Sequence, residues 1–249
     1  MFLNNNLLPV INVISDIGFA FGGEGGRARL APLLRTGGEQ VKLVSESFPH
    51  EAPIPERCAF CVPDPGQHAC PGSNRNPALS WSDLPAGTKS LVLICHDPDA
   101  PAKPDNVNTE GKSISARRKR TDFCHWVLVD IPADAVGVQE GEFSDGVTQS
   151  GKPGPAGARG TRQGINDYTQ WFAQDDDMAG NYFGYDGPCP PWNDSIVHHY
   201  HFTLYALDFE RCPVGGEFTR RSVLAAMEGH ILETAMLTGT YSLNPDVAA

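Results

Sequence analysis

Three apolar runs constrain this chain more than anything else in it. SLVLICHD (90–97), FCHWVLVDIP (123–132) and YHFTLYALD (200–208) are continuous, rich in branched and aromatic side chains, and finish in polar or charged residues. Runs of this length and makeup read as strands buried inside a sheet sandwich. The text between them suits short strands joined by turns, since 26 glycines and 21 prolines are spread through 249 residues. VKLVS (41–45) alternates as a short strand and ALSWS (78–82) reads as an edge strand, followed by a PAG turn (85–87). Residues 139–195 carry little periodicity and form a long loop region, where function tends to concentrate. Near the end, Val223, Leu224, Met227, Ile231, Ala235 and Met236 are spaced as on a helix over 222–237, with Ser222 to cap it and Gly239 to stop it.

Charge and cysteine usage narrow the function classes. A formal net charge of −11 opposes binding to nucleic-acid backbones or anionic membrane surfaces. The opening MFLNNNLLPVINVISDIGFAFGG has no Lys or Arg before Arg27 and contains Asp16, so it lacks a signal-peptide n-region, and no apolar stretch is long enough to span a bilayer. Seven cysteines, at 58, 61, 70, 95, 124, 189 and 212, are an odd and scattered set. They read as free thiols in a reducing compartment, which predicts a cytoplasmic protein. Residues 1–40 are expected to be an extension preceding a domain over 41–249. The GGEGGRAR stretch (22–29) in it follows no strand pattern and leads to no Lys-Ser/Thr, so it is a linker and not a phosphate loop.

Candidate chemistry sits where the strands meet loops. DPDAP (97–101) makes a stiff exit from the first run, because each proline fixes its own φ and restricts the residue before it. It holds Asp97 at a pocket rim or is a plain surface turn. His125 shares a strand face with Val127 and Val129 by alternation, opposite Trp126 and Leu128, and by itself is more simply a satisfied core histidine. GPCPP (187–191) leads to His198-His199-Tyr200-His201, where alternation puts His198, Tyr200 and Phe202 together. A histidine and a phenol on one face offer two donors to an anion. A metal is disfavoured there because neighbouring strand residues face opposite ways. Cys58, Cys61, His68 and Cys70 have zinc-like composition, but their spacing fits no common knuckle. ARRKR (116–120) is a solvated basic loop or a contact over the pocket. Ser144, Ser150 and Ser195 stand in no GxSxG elbow.

In this order, CHDPDAPAKPD, CHWVLVDIP and GPCPP…HHYHFTLYALD resemble the phosphatidylethanolamine-binding proteins, specifically their bacterial Raf-kinase-inhibitor-like branch, over about residues 40–245. The closing LTGTYSLNP is similar to that branch as well. The resemblance implies a mainly β fold, an antiparallel sandwich with one C-terminal helix and long loops. It implies a pocket for phosphate or phosphoryl headgroups lined by Asp97, Pro101, His125, Gly187, Pro188, His198 and Tyr200, with no cofactor and no metal. It implies a cis peptide at Ala100-Pro101, a protein kinase or protease as regulated partner, and a homodimer as one assembly. Where the family has His-Arg after the Gly-Pro loop, this chain has His198-His199. The expected function is therefore binding of a small anionic ligand such as phosphate or phosphorylethanolamine. The alternatives are an ester or phosphoester hydrolase using Asp97 and His125, and an interaction protein with a vestigial pocket.

Overall fold

A computed structural model of the chain describes residues 40–247; the expected extension 1–40, with its GGEGGRAR stretch, lies outside the described residues except for Gln40. The strands are β1 (Lys42–Ser45), β2 (Ala52–Pro53), β3 (Cys61–Asp64), β4 (His68–Pro71), β5 (Leu79–Ser82), β6 (Ser90–Pro101), β7 (Arg120–Pro132), β8 (Gly137–Val138), β9 (Arg162–Gln163), β10 (His198–Leu207) and β11 (Ile231–Tyr241). Two helices, α1 (Tyr168–Trp171) and α2 (Arg220–Met227), complete the elements used below.

The main sheet runs β2-β11-β10-β6-β7-β9, antiparallel throughout except for the short parallel pairing of β2 with β11. A second sheet, β1-β5-β8, and the β3-β4 hairpin pack on one of its faces. This explains the continuous apolar runs. From β6, Leu91, Leu93 and Cys95 enter the core shared with Leu43, Leu79, Trp81 and Val138 of the small sheet. Val92 and Ile94 point the other way, into a second core closed by Val223 and Met227 of α2 with Cys212 and Phe218. A strand buried on both faces has no polar alternation to show. The strand expected over 78–82 is central in its sheet and not an edge, because the Gly137-Val138 pair of β8 covers its far side.

The helix expected over 222–237 is corrected. Thr219 takes the N-cap position, its N–H donating to Ser222 Oγ at 2.9 Å, and α2 stops at Met227. A turn through Gly229, at φ +81°, then reverses the chain. Ile231–Tyr241 pairs with β10 along its whole length, so Gly239 lies inside a strand opposite Tyr200. Ile231 and Ala235 suit a period of two as well as 3.6, and the ladder offered by β10 decides between them.

Two other expectations fail for local reasons. Gly154-Pro155 is the cis peptide among the described residues, so Ala100-Pro101 is trans. Ala100 and Pro101 continue β6, paired with Thr121 and Arg120, and the bend is absorbed by an extra residue between Asp97 and Ala100. The cysteines are not all free: Cys61 is bonded to Cys189, while Cys58, Cys70, Cys95, Cys124 and Cys212 are thiols. The partners meet because the N–H groups of Phe60 and Cys61 both donate to Pro188 O, laying the 187–191 loop along β3.

Candidate functional site

Beside the main sheet opens a cavity of about 1140 Å³. Its polar end is built by Asp97, His125, His198 and Tyr200; its walls are largely aromatic and aliphatic, including Phe60, Phe123, Trp171, Phe172 and Met178. Of the residues expected to line a pocket, Asp97, Pro101, His125, His198 and Tyr200 do so. Gly187 and Pro188 do not. They stand behind the wall, and Cys189, Pro190 and Pro191 of the same loop supply the surface.

Gly187 is needed there for space. Its N–H donates to Asn74 Oδ1 at 2.8 Å, its carbonyl accepts from Tyr168 Oη at 2.8 Å, and a Cβ would overlap the Cys58 carbonyl oxygen. Gly187→Ala is expected to cost about 1–3 kcal/mol by overpacking. Urea denaturation checks this, and an unchanged midpoint would contradict the close approach.

His125 reaches the cavity through a bulge. β7 pairs Trp126 with Cys95 and Cys124 with His96, so two residues of β7 oppose one step of β6. The inserted residue breaks the alternation. His125 consequently packs against Phe123, Tyr168 and Tyr200, with ring centroids at 5.0, 5.6 and 5.1 Å, and not with Val127 and Val129, which lie in the α2-facing core. Its Nδ1 sits 2.7 Å from the Asp186 carbonyl oxygen. A carbonyl can only accept, so Nδ1 carries the proton and Nε2 is left to meet a ligand. Burial pushes the imidazole below its ordinary range despite the acids Asp97, Asp167 and Asp186 around it.

His198 is a different kind of histidine. Nδ1 lies 2.7 Å from Asp97 Oδ2 and Nε2 3.2 Å from Asp194 Oδ2, so both nitrogens donate and the ring is an imidazolium. Burial alone would lower its pKa, but the two carboxylates outweigh that and raise it to about 9. Burial would likewise raise Asp194, yet hydrogen bonds from His198 and Arg120 hold it below the usual carboxylate range. Arg120 grips Asp194 with both terminal nitrogens, at 2.5 and 2.9 Å. The row Asp97–His198–Asp194–Arg120 is thus a buried, charge-balanced chain whose His198 donors are already used.

These contacts correct the hydrolase arrangement: Asp97 is paired with His198 and not with His125. Ser144 and Ser195 donate to the Asn74 and Ile114 carbonyls. In the zinc-like set Cys61 is committed to Cys189, and His68 pairs with Glu110 while stacking on Trp192 at 3.8 Å. No group of three or more His, Cys, Asp or Glu among the described residues is placed to hold a metal. Sequence reasoning missed Arg120, which was hidden in the basic run 116–120 and pairs with Asp194. It also missed Asp194 and Asp186, two acids in loop text with nothing to distinguish them.

The remaining polar feature is Tyr200. Its hydroxyl is buried, the residue is 1% exposed, and the oxygen has no hydrogen-bond partner among the described residues although the side chain lines the cavity. Together, Tyr200 and His125 bring one unpartnered hydroxyl and one uncommitted ring nitrogen to the polar end of the cavity.

Comparison with known proteins agrees with this architecture. The family model described as phosphatidylethanolamine-binding protein matches residues 44–242. A UPF0098 protein of Methanothermobacter thermautotrophicus is 38% identical over 177 residues, covering 71% of this chain and 89% of its own. The UPF0098 protein YbhB of Escherichia coli is 31% identical over 202 residues, covering 81% of this chain and 100% of its own. Among solved structures, E. coli YbcL, titled a new member of the mammalian PEBP family, superposes with a TM-score of 0.59 at 26% identity, over 82% of this chain and 99% of that one. A PEBP homologue from Chlamydia trachomatis superposes with a TM-score of 0.54 at 30% identity, over 82% and 97%. With a mainly β fold and a family match over most of its length, the chain belongs to the phosphatidylethanolamine-binding protein family.

Proposed function

We propose that residues 41–249 form a single ligand-binding domain whose cavity takes a small molecule with a phosphoryl or similar oxyanion head, seated against Tyr200 and His125. The observation that carries this reading is the buried, unpartnered Tyr200 hydroxyl beside a histidine whose second nitrogen is free. An unmade hydrogen bond on a buried hydroxyl costs about 1–3 kcal/mol, and a ligand oxygen relieves it. The lining contains no lysine or arginine. The head must therefore bring its own proton to Nε2 or be met by a protonated His125, which forms a charge-assisted bond. Binding in preference to turnover is supported by the absence of an activated nucleophile among the lining residues.

Affinity is expected to rise as pH falls. Burial keeps the His125 titration of the free protein below its ordinary 6.5, and an oxyanion favours the protonated ring. Affinity therefore climbs as pH falls and levels off only on the acid side of that value, once the free ring is protonated too. Calorimetric titration with inorganic phosphate and with phosphorylethanolamine across pH checks this. Tyr200→Phe should weaken binding by about five-fold, corresponding to one hydrogen bond. His125→Ala should weaken it and flatten the pH profile. A flat profile in the unaltered protein, with full affinity in Tyr200→Phe, would overturn the reading.

A protein kinase or protease, the regulated partner that the resemblance implies, would meet the domain at the same cavity mouth, and displacement by phosphorylethanolamine would reveal it. The described residues contain no helix long and apolar enough to cross a membrane. A cytoplasmic location, expected from unpaired thiols, loses support from the Cys61–Cys189 bond, which is typical of oxidising compartments.

A further inference from the structure

His125 is tied to one residue three ways, and none of the ties involves the cavity itself. Its Nδ1 donates to Asp186 O at 2.7 Å, and the Asp186 N–H donates back to the His125 carbonyl at 3.0 Å. The Asp186 carboxylate is completely buried, and it also contributes to the field at the ring. That carboxylate is gripped by Asn74 Nδ2 and Asn166 Nδ2, each at 2.8 Å, and by Lys152 Nζ at 2.5 Å. Asn74 additionally accepts from the next peptide, Gly187 N–H. The orientation of the Asp186 peptide is therefore set on both sides, and its carbonyl oxygen stays aimed at Nδ1.

We propose that Asp186 and Lys152 are positioning residues for His125: through the Asp186 peptide they fix which ring nitrogen faces the cavity, and their opposite charges counterbalance at the ring. The proposal deepens the ligand-binding reading and rests on it for its functional meaning. The other groups around the ring are Asp97 of β6, Tyr200 of β10, and Asp167 and Tyr168 at α1; His198 lines the same cavity. None of these pairs with Lys152, whose ammonium is held by Asp186 alone among the acids of the described residues. Removing Lys152 therefore leaves the Asp186 charge uncompensated, which favours a protonated ring. Removing the charge of Asp186 does the reverse.

Nitrogen-15 NMR of the His125 ring in ligand-free protein tests this, using Lys152→Met and Asp186→Asn. The unaltered protein should show the Nδ1–H tautomer. Lys152→Met should move the ring titration upward and Asp186→Asn downward, each by about half a pH unit or more. The phosphate-affinity profile should move in the same two directions. Lys152 lies at the cluster's outer edge and Met keeps its aliphatic stem, so this variant decides the matter even where Asp186→Asn fails to fold. An Nε2–H tautomer in the unaltered protein, shifts of the same sign, or no shift in Lys152→Met would overturn the assignment. If phosphate does not bind at any pH, the ligand reading falls, while the ring titration still decides whether Asp186 and Lys152 position His125.

Discussion

Raising the pH from about 6 to above 9 should remove roughly 3 kcal/mol of folding stability through His198 alone. The group carries an ordinary 6.5 in the unfolded chain and about 9 in the folded one. A folded-state pKa that is raised gives stability fully present below 6.5 and lost as pH climbs through about 9, at about 1.4 kcal/mol per unit of difference. Full burial of the Asp97–His198–Asp194 row means that little of this is screened by solvent. Urea unfolding at several pH values between 6 and 10 measures it. Asp194→Asn removes one of the two carboxylates that hold the proton and leaves the Arg120 guanidinium half-paired. It should cost about 3 kcal/mol near neutrality and bring the alkaline loss to lower pH. Stability that stays level to pH 10 in the unaltered protein would show that the imidazolium is not held as the geometry implies.

The second large effect concerns the Cys61–Cys189 bond. The cysteines are 128 residues apart in the chain, so the bond closes a long loop in the unfolded ensemble. Cutting it, by reductant or by a Cys61→Ser and Cys189→Ser pair, is expected to cost about 2–5 kcal/mol. The double variant should then be insensitive to reductant, and the unaltered protein should fall to meet it. The cavity wall should survive, because the 187–191 loop is also fixed through Pro188 O and Gly187. Equal melting temperatures with and without reductant, together with two extra free thiols by mass, would remove the bond from the account.

The parts of the fold legible in the sequence are those whose physics is local. The β6, β7 and β10 strands announced themselves because double-faced burial leaves a continuous apolar run. Asp97, His198 and Tyr200 could be placed at one end of the sheet from where those runs stop. The helical spacing over 222–237 misled because Ile231 and Ala235 fit either period, and only the β10 ladder selects the strand. What was out of reach depends on distant partners: Arg120 with Asp194, Lys152 with Asp186, and Cys61 with Cys189. The anion-site expectation read His198 as a free donor; Asp194 is only four residues away, but the loop text between them has no period that would aim its carboxylate at the second ring nitrogen.

The one-residue insertion at His125 has a further consequence for how β7 evolves and misfolds. Up to that point the strand counts inside and outside in one phase; from Trp126 to Val129 it counts in the other, and a second shift between Leu128 and Ile131 resets it. Sliding β7 by a single position along β6 would turn the core-facing side chains on both sides of the insertion to the wrong face, so neither core tolerates it. The irregularity that turns the imidazole into the cavity thus lies within the central pairing of the sheet, whose register both cores hold in place.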